Sequence, residues 1–411
     1  MIKRRLFRSI SSLTLLKLLD YIFPLLIIPI AIKSIGIDYY GITSYFLSIS
    51  LFCLILTDFG FNIYGVQRLA SSITVSKAKR FILASFIIRG GIFVFIVIPI
   101  NFLLIKLSPE SMSINDYEAL FLLIPFFNIF NLQWFFQAKE KYSFIILVSL
   151  IFRAASLAIT FIFVLEESDI DIYVFVLILI YGAPFLLHWL YFLLKFNGII
   201  SKKLDRRYIV VLLKINVGIF RYRLANAIIL PCFNYLFGFS MSSAEFGVMS
   251  LVQRIFGAII NFSSPITQAL IPHLSVLKKN DLYKYDLMCY KSLKYTLLIS
   301  ILMSVMAIIL TYLIVYSKFL GDEIIINDIF PHILIMFAVI PHVLNSLQSQ
   351  ILILNNQQNI ISHVVYTSLL IAFILCITGL YFNAPVYGFI LFYLFVYYFM
   401  AMCMFLGRKK T

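Results

Sequence analysis

Twelve stretches of mostly apolar residues recur along this chain, in windows 10–32, 41–65, 81–105, 118–138, 143–165, 173–195, 215–238, 245–271, 292–316, 329–353, 361–381 and 385–406. A helix needs roughly 20 such residues to cross the hydrocarbon of a bilayer. Backbone polar groups find no water there, so each stretch must satisfy them internally, as a helix does. The chain is 62% hydrophobic and 12% charged, whereas soluble domains are about half apolar and a quarter charged. The expectation is an all-α polytopic membrane protein with twelve transmembrane helices. The N-terminal MIKRRLFRS has the basic start of a leader. Lys17 and Asp20 interrupt the apolar region behind it and no small-x-small site follows, so it reads as an uncleaved first span.

Charge in the loops sets the orientation. When loops are assigned to alternate sides, 24 of the 33 lysines and arginines fall on the side of the N-terminus. The opposite side collects Lys33, Lys106 and Lys318, with the acidic stretches EESDID (166–171) and GDEIIIND (321–328). Cationic loops resist translocation, so the basic side is expected to be cytoplasmic, with both termini there. The net charge of +15 then sits beside an anionic leaflet. It does not point to nucleic acid.

The longest polar interruption, NGIISKKLDRRYIVVLLK (197–214), follows the sixth span. It reads as a cytoplasmic linker between six-helix halves at 1–196 and 215–411. DYIFPLLIIPIAIKSIGIDYYGITSYFLS (20–48) and NAIILPCFNYLFGFSMSSAEFGVMSLVQR (226–254) share a grammar: a Pro-bearing helix, a short turn, then an aromatic-Gly pair opening a new helix. Six helices separate them, so both run in one direction. Parallel repeats of this kind form transporters whose site lies between the halves near the midplane. A central cavity is therefore expected.

Eight ionisable residues fall within the spans: Lys17, Asp20, Asp58, Arg89, Arg153, Arg221, Arg223 and Arg254. Each costs about 2.5–3.5 kcal/mol at a helix centre on insertion scales and persists when a cavity, partner or ligand receives it. Arg89, Arg153, Arg223 and Arg254 lie roughly 12–15 Å deep at 1.5 Å per residue, too deep to snorkel easily. Lys17 and Arg221 lie nearer the cytoplasmic edge, where a long side chain reaches out. Arg221 and Arg223 point about 200° apart on a helix, and Arg223, sharing a face with Asn226 and Asn234, is taken as cavity-facing. Arg153 shares a stripe with Ser149, Ser156 and Thr160, and Arg254 one with Asn261 and Gln268. Guanidinium matches phosphate oxygens. Arg89, Arg153, Arg223, Arg254 and Lys17 are therefore the candidate substrate-binding residues, for an anionic ligand. Asp20 and Asp58, with Asn62, are the candidates for ion coupling or gating, by proton or sodium. Lys17, Asp20 and Pro24 share a face, and Pro24 crowds the carbonyl of Asp20, so a bend is expected there.

No cofactor or metal is expected. The five histidines never approach ligand spacing, and the five cysteines show no paired spacing. DID at 169–171 is read as part of a solvated acidic loop.

Three segments carry a resemblance. SIGIDYYGITSYFLSISLFCLILTDFGFNIYGVQRLA (34–70) resembles the N-terminal signature of the Wzx-type O-antigen flippases, in the polysaccharide-exporter branch of the multidrug/oligosaccharidyl-lipid/polysaccharide superfamily. Tyr40, Gly41, Asp58, Phe59, Gly60, Arg68 and Ala70 fit it. QWFFQAKEKY (133–142) is similar to the family's WFFQG-x-E segment, with Ala138 for glycine. FGVMSLVQRI (246–255), then PITQALIPHLS (265–275), looks like its G-Y-x-x-A-x-K-I segment and following prolines, with Met249 for tyrosine and Arg254 at the basic position. The resemblance spans nearly the whole chain. It implies alternating-access transport of an undecaprenyl-diphosphate-linked oligosaccharide repeat unit from the cytoplasmic to the periplasmic leaflet. The implied setting is the bacterial inner membrane, with other polysaccharide-assembly membrane proteins as partners. Two other functions fit a polytopic chain. A multidrug cation antiporter of the same superfamily should carry an acidic site, whereas these spans are basic. A polysaccharide polymerase or ligase should carry a sizeable external loop, and the external segments here are short.

Overall fold

The computed structural model describes the backbone of residues 2–70, 75–113, 117–195, 205–316, 332–355, 357–382 and 384–409. Within these helices it leaves out the side chains of 2–14, 16–17, 70, 75–76, 222–223, 225–226, 262–269, 271–273, 276, 279, 314–316, 358 and 408–409. The described backbone is all helical. Nine helices in it are long and apolar enough to cross a membrane, or ten when the pair Glu167–Tyr181 and Pro184–Lys195, bent by 47°, counts as one span. The chain is a polytopic membrane protein.

One of the nine, Leu18–Leu69, has 52 residues. At 1.5 Å per residue it would run about 78 Å, more than twice a ~30 Å hydrocarbon core. Two breaks divide it. Helix α1 (Ile2–Asp58) leaves helical geometry at Gly36, at φ 77° and ψ 164°. A side chain is rarely tolerated at such a φ, whereas glycine adopts it freely. Pro24 and Pro29 lie inside α1 with helical dihedrals around them, and Gly36 is where the chain leaves helical geometry. The second break is Phe59–Gly60, at φ 46° and 81°, after which α2 (Phe61–Ala70) begins.

The chain divides into two compact units, Met1–Gly238 and Phe239–Thr411. In the first, α3 (Val75–Ile92) passes through a π-helical turn at Phe93–Val97 into α4 (Ile98–Lys106). Short helices α5 (Leu123–Asn128) and α6 (Gln133–Ala138) precede α7 (Tyr142–Phe163), α8 (Ile170–Tyr181) and α9 (Pro184–Lys195). Helix α10 (Arg206–Ala227) starts inside the stretch expected as a linker, and α11 (Ile229–Ser240) follows it. Both group with the first unit up to Gly238 because they pack on it. The Phe220 ring lies 4.7 Å from that of Phe59. The Tyr235 hydroxyl donates to the Leu104 carbonyl at 3.1 Å. A Cβ on Gly238 would come within 2.3 Å of the Tyr45 ring, so glycine is what lets α11 approach.

In the second unit, α12 (Ser243–Asn280) starts with a capping box between Ser242 and Glu245, which satisfies the free N–H groups of its first turn. It packs with α13 (Leu282–Tyr316) and α14 (Val339–Leu354) around Leu274, Tyr285, Cys289, Leu347 and Ile351. The Tyr285 hydroxyl closes this core, 2.8 Å from Asn355 Oδ1. Helices α15 (Gln358–Tyr381) and α16 (Val386–Lys409) form a hairpin whose Gly379 faces the Phe389 ring. The acidic stretch 321–328 lies outside the described residues.

Large apolar side chains face outward in both units, as Phe95 at 81% and Leu302 at 69% exposed show. Soluble monomers keep such patches small. Here hydrocarbon is the matching solvent.

Candidate functional site

Asp58 and Arg89 meet in the first unit. Arg89 Nη2 lies 3.2 Å from Asp58 Oδ1. Its Nη1 donates to the Asn131 carbonyl at 2.7 Å and, more weakly, to that of Asn128 at 3.4 Å. The guanidinium stands over the rings of Phe61 and Trp134, 5.2 and 5.8 Å from their centroids. Arg89 is 0% exposed. It is packed among five groups of its own unit, not placed on an open face.

Each of those groups is itself held. The Trp134 indole N–H donates to the Asn131 carbonyl at 2.9 Å. The Asn131 amide donates to Asn128 Oδ1 at 2.9 Å, and the Asn128 amide to the Leu54 carbonyl at 3.1 Å. Asp58 Oδ1 also receives the Asn62 N–H at 3.3 Å, just past the Phe59–Gly60 break. The carboxylate thus serves the free N–H groups of a new helix as well as an arginine. Gly65, one turn on, allows close contact, since a Cβ there would lie 2.4 Å from Trp134. Sequence alone singles out Asp58 and Asn62 as polar groups at the end of an apolar run. What it did not reveal was Asn128, Asn131 and Trp134 as their receivers, because those groups come from 70 residues away.

A second pair joins α1 to α7. Arg153 Nη2 forms an ion pair with Asp20 Oδ1. Arg153 is buried, and its Nε and Nη1 have no hydrogen-bond partner among the described residues. Ser156 and Thr160, on the same stripe, are buried as well, so this face of α7 packs on α1. The Asp20 side chain remains 38% exposed. Asp20 thus answers Arg153 across two helices.

Of the remaining charges within the spans, Arg254 and Arg221 have described side chains. Arg254 is a half-buried residue of α12 in the second unit, and Asn261 on its stripe donates to its own helix at Gly257, 2.8 Å away. Arg221 is exposed. The side chains of Lys17, Arg223 and Gln268 lie outside the described residues. Among the described residues no three His, Cys, Asp or Glu side chains gather as a metal site.

The ends of the first unit segregate by charge. Gly36 faces Glu167 at one end. At the other, Lys139 Nζ reaches the Leu69 carbonyl at 3.5 Å, and Lys141 and Lys195 flank the Tyr191 ring.

Comparison with known proteins adds three findings. A 174-residue stretch is 30% identical to the "Putative O-antigen transporter" of Escherichia coli (strain K12), covering 41% of this chain and 40% of that protein. The match therefore spans less than half of the relative's length. In structure, the chain aligns over 98% of its length with an inward-facing multidrug resistance MATE family transporter of the MOP superfamily, at a TM-score of 0.73, 12% identity and 98% of that chain. It aligns equally with the lipid II flippase MurJ in an inward closed conformation, at a TM-score of 0.73 and 15% identity, over 98% of this chain and 87% of the other. At such identities the likeness is one of fold. The profile of the polysaccharide biosynthesis protein family matches residues 6–278, and so takes in the motif segments 34–70, 133–142 and 246–275. With two thirds of its length matched by that profile, the chain belongs to the polysaccharide biosynthesis protein family.

Proposed function

We propose that the chain is a flippase carrying an undecaprenyl-diphosphate-linked oligosaccharide repeat unit from the cytoplasmic to the periplasmic leaflet of a bacterial inner membrane. The observation that carries the reading is the family match over residues 6–278. The partial identity to a protein named as an O-antigen transporter supports it. In this proposal twelve spans form six-helix halves at 1–196 and 215–411, both termini are cytoplasmic, and the halves alternate around a cationic cavity. The length of Leu18–Leu69 and its break at Gly36 support two spans there. The acidic and basic ends of the first unit support the orientation.

Among the arginines, Arg153 stays in the proposal because Asp20, its half-exposed partner, occupies only one of its nitrogens, and an anion would reach the buried others when Asp20 moves aside. Arg254 and Arg223 stay in the proposal by depth and charge, with Lys17 nearer the edge. Arg89 is reassigned from substrate contact to bracing. Burial at 0% exposure behind Asp58 and Trp134 leaves a diphosphate no approach without unpacking α2. Asp20, still partly exposed, is the proposed coupling group for proton or sodium, and Asp58 with Asn62 holds the α1–α2 break.

Deletion of the gene should leave a completed single repeat unit on its lipid at the cytoplasmic face. The wild-type gene should restore surface glycan, and Arg153→Ala/Arg254→Ala should not, at equal membrane level. Normal glycan from that variant removes the cationic cavity. Display of one repeat unit at the surface in the deletion would show that a polymerase had been lost instead.

A further inference from the structure

A second basic site lies in the first unit, away from the buried pairs. Helix α2 meets α3 where Phe61 and Tyr64 pack on Phe81, at 6.0 and 5.8 Å between ring centroids. One turn on from Tyr64, α2 carries Arg68, and beside Phe81, α3 carries Arg80. The two arginines thus stand at one level, at the end where Lys77 and Lys79 also lie. Helix α10 is fixed against the same unit by Phe220 on Phe59 and Ile219 on Gly60. Twelve residues before Phe220, about 18 Å back, Tyr208 arrives at that level. The Arg80 guanidinium lies over its ring, 4.4 Å from the centroid.

This cluster has cations and a hydroxyl, and within it Arg80 is short of acid. Among the described residues no carboxylate forms an ion pair with Arg80, and its buried Nε has no hydrogen-bond partner. Asp205, the acidic residue nearest in sequence, caps α10 by accepting the Arg207 N–H at 3.1 Å. Burial raises the pKa of Tyr208 above its ordinary value of 10.0, and the positive charges of Arg68 and Arg80 pull it down. The net direction keeps the phenol protonated at neutral pH, as a donor.

We infer that Arg68, Arg80 and Tyr208 bind the phosphate of a membrane lipid at the bilayer edge. Guanidinium groups offer paired donors to phosphate oxygens, and the tyrosine face holds one of them in position. In the proposed orientation this basic end faces the anionic leaflet, whose headgroups carry such phosphates. The same chemistry serves an anionic phospholipid of the bilayer and a polyprenyl diphosphate waiting at the rim. This inference does not rest on transport, so binding here and flipping can each fail without the other.

The test is native mass spectrometry of the full chain in detergent, titrated separately with dioleoylphosphatidylglycerol, farnesyl diphosphate and, as neutral control, dioleoylphosphatidylcholine. Wild type should retain one or both anionic probes over phosphatidylcholine. Arg68→Gln/Arg80→Gln should lower that retention about tenfold, the scale of one or two charge-assisted contacts. Tyr208→Phe should lower it about threefold. Selective loss of phosphatidylglycerol assigns the site to bilayer lipid, and selective loss of farnesyl diphosphate assigns it to the carrier. Equal retention of both by the double variant at unchanged melting temperature overturns the inference, as does a wild type that does not discriminate against phosphatidylcholine. If the double variant fails to fold, Arg80→Lys is read in its place. It keeps the charge but loses the fork, and retention equal to wild type overturns the inference.

Discussion

The Asp58–Arg89 contact fixes what each substitution should cost. Both side chains are almost wholly buried, so removing one partner strands a charge, at about 3–5 kcal/mol. Arg89→Ala should therefore destabilise the chain by about that amount in detergent unfolding. Asp58→Asn/Arg89→Gln should cost less than the two single changes added together, because neither charge is then left alone. Additive costs would mean that the two do not interact. Gly65 makes a steric prediction. A methyl 2.4 Å from Trp134 forces an indole held by a hydrogen bond to move, so Gly65→Ala should cost about 1–3 kcal/mol, read as a lowered unfolding midpoint. Before any contact was known, Asp58, Asn62, Gly65 and Arg89 could be singled out as unusual for hydrocarbon. That Asp58 and Arg89 answer each other could not, since charge and depth do not say which of several cations lies opposite.

Breaks and caps decide the elements. Gly36 turns α1 at φ 77° and ψ 164°, a region essentially glycine's own, where a side chain costs about 1–3 kcal/mol. Gly36→Ala should lower the melting temperature. Gly36→Asn should lower it as much, because asparagine tolerates positive φ in the left-handed helical region and not at this ψ. The start of α13 makes a pH prediction. Asp281 accepts the Lys284 N–H at 3.0 Å, and that bond holds its carboxyl below the ordinary 3.8. The folded pKa is depressed, so the stabilisation is complete above the ordinary value and is lost as pH falls through the folded one. Hydrogen exchange at the Lys284 amide should therefore accelerate, relative to its intrinsic rate, as pH drops below about 3.8, and Asp281→Ala should abolish that change. The Phe59–Gly60 break was legible only as a glycine near the end of a span. Its sharpness comes from Phe220 and Ile219 packing against it, 160 residues on.

For the whole molecule, alternating sidedness predicts where a thiol reagent reaches. In a cysteine-free background, cysteines at Lys33 and Glu167 should react with a membrane-impermeant maleimide in whole cells, while cysteines at Lys139 and Lys284 should react only after lysis. Labelling of Lys139→Cys in whole cells would reverse the orientation. The membrane-spanning class and the family were written in the sequence. Apolar length is a one-dimensional property that hydrocarbon reads directly, and the motif segments at 34–70, 133–142 and 246–275 lie in order along the chain. Even the exceptional charges were visible, because each is costly wherever it points. The tertiary structure alone decided which of them are spent on one another. It buried Arg89 behind Asp58, set Arg153 against Asp20, brought Tyr208 beneath Arg80 and grouped 206–238 with the first unit. Each pairing depends on the register of helices far apart in sequence, and packing between helices, not local periodicity, sets that register.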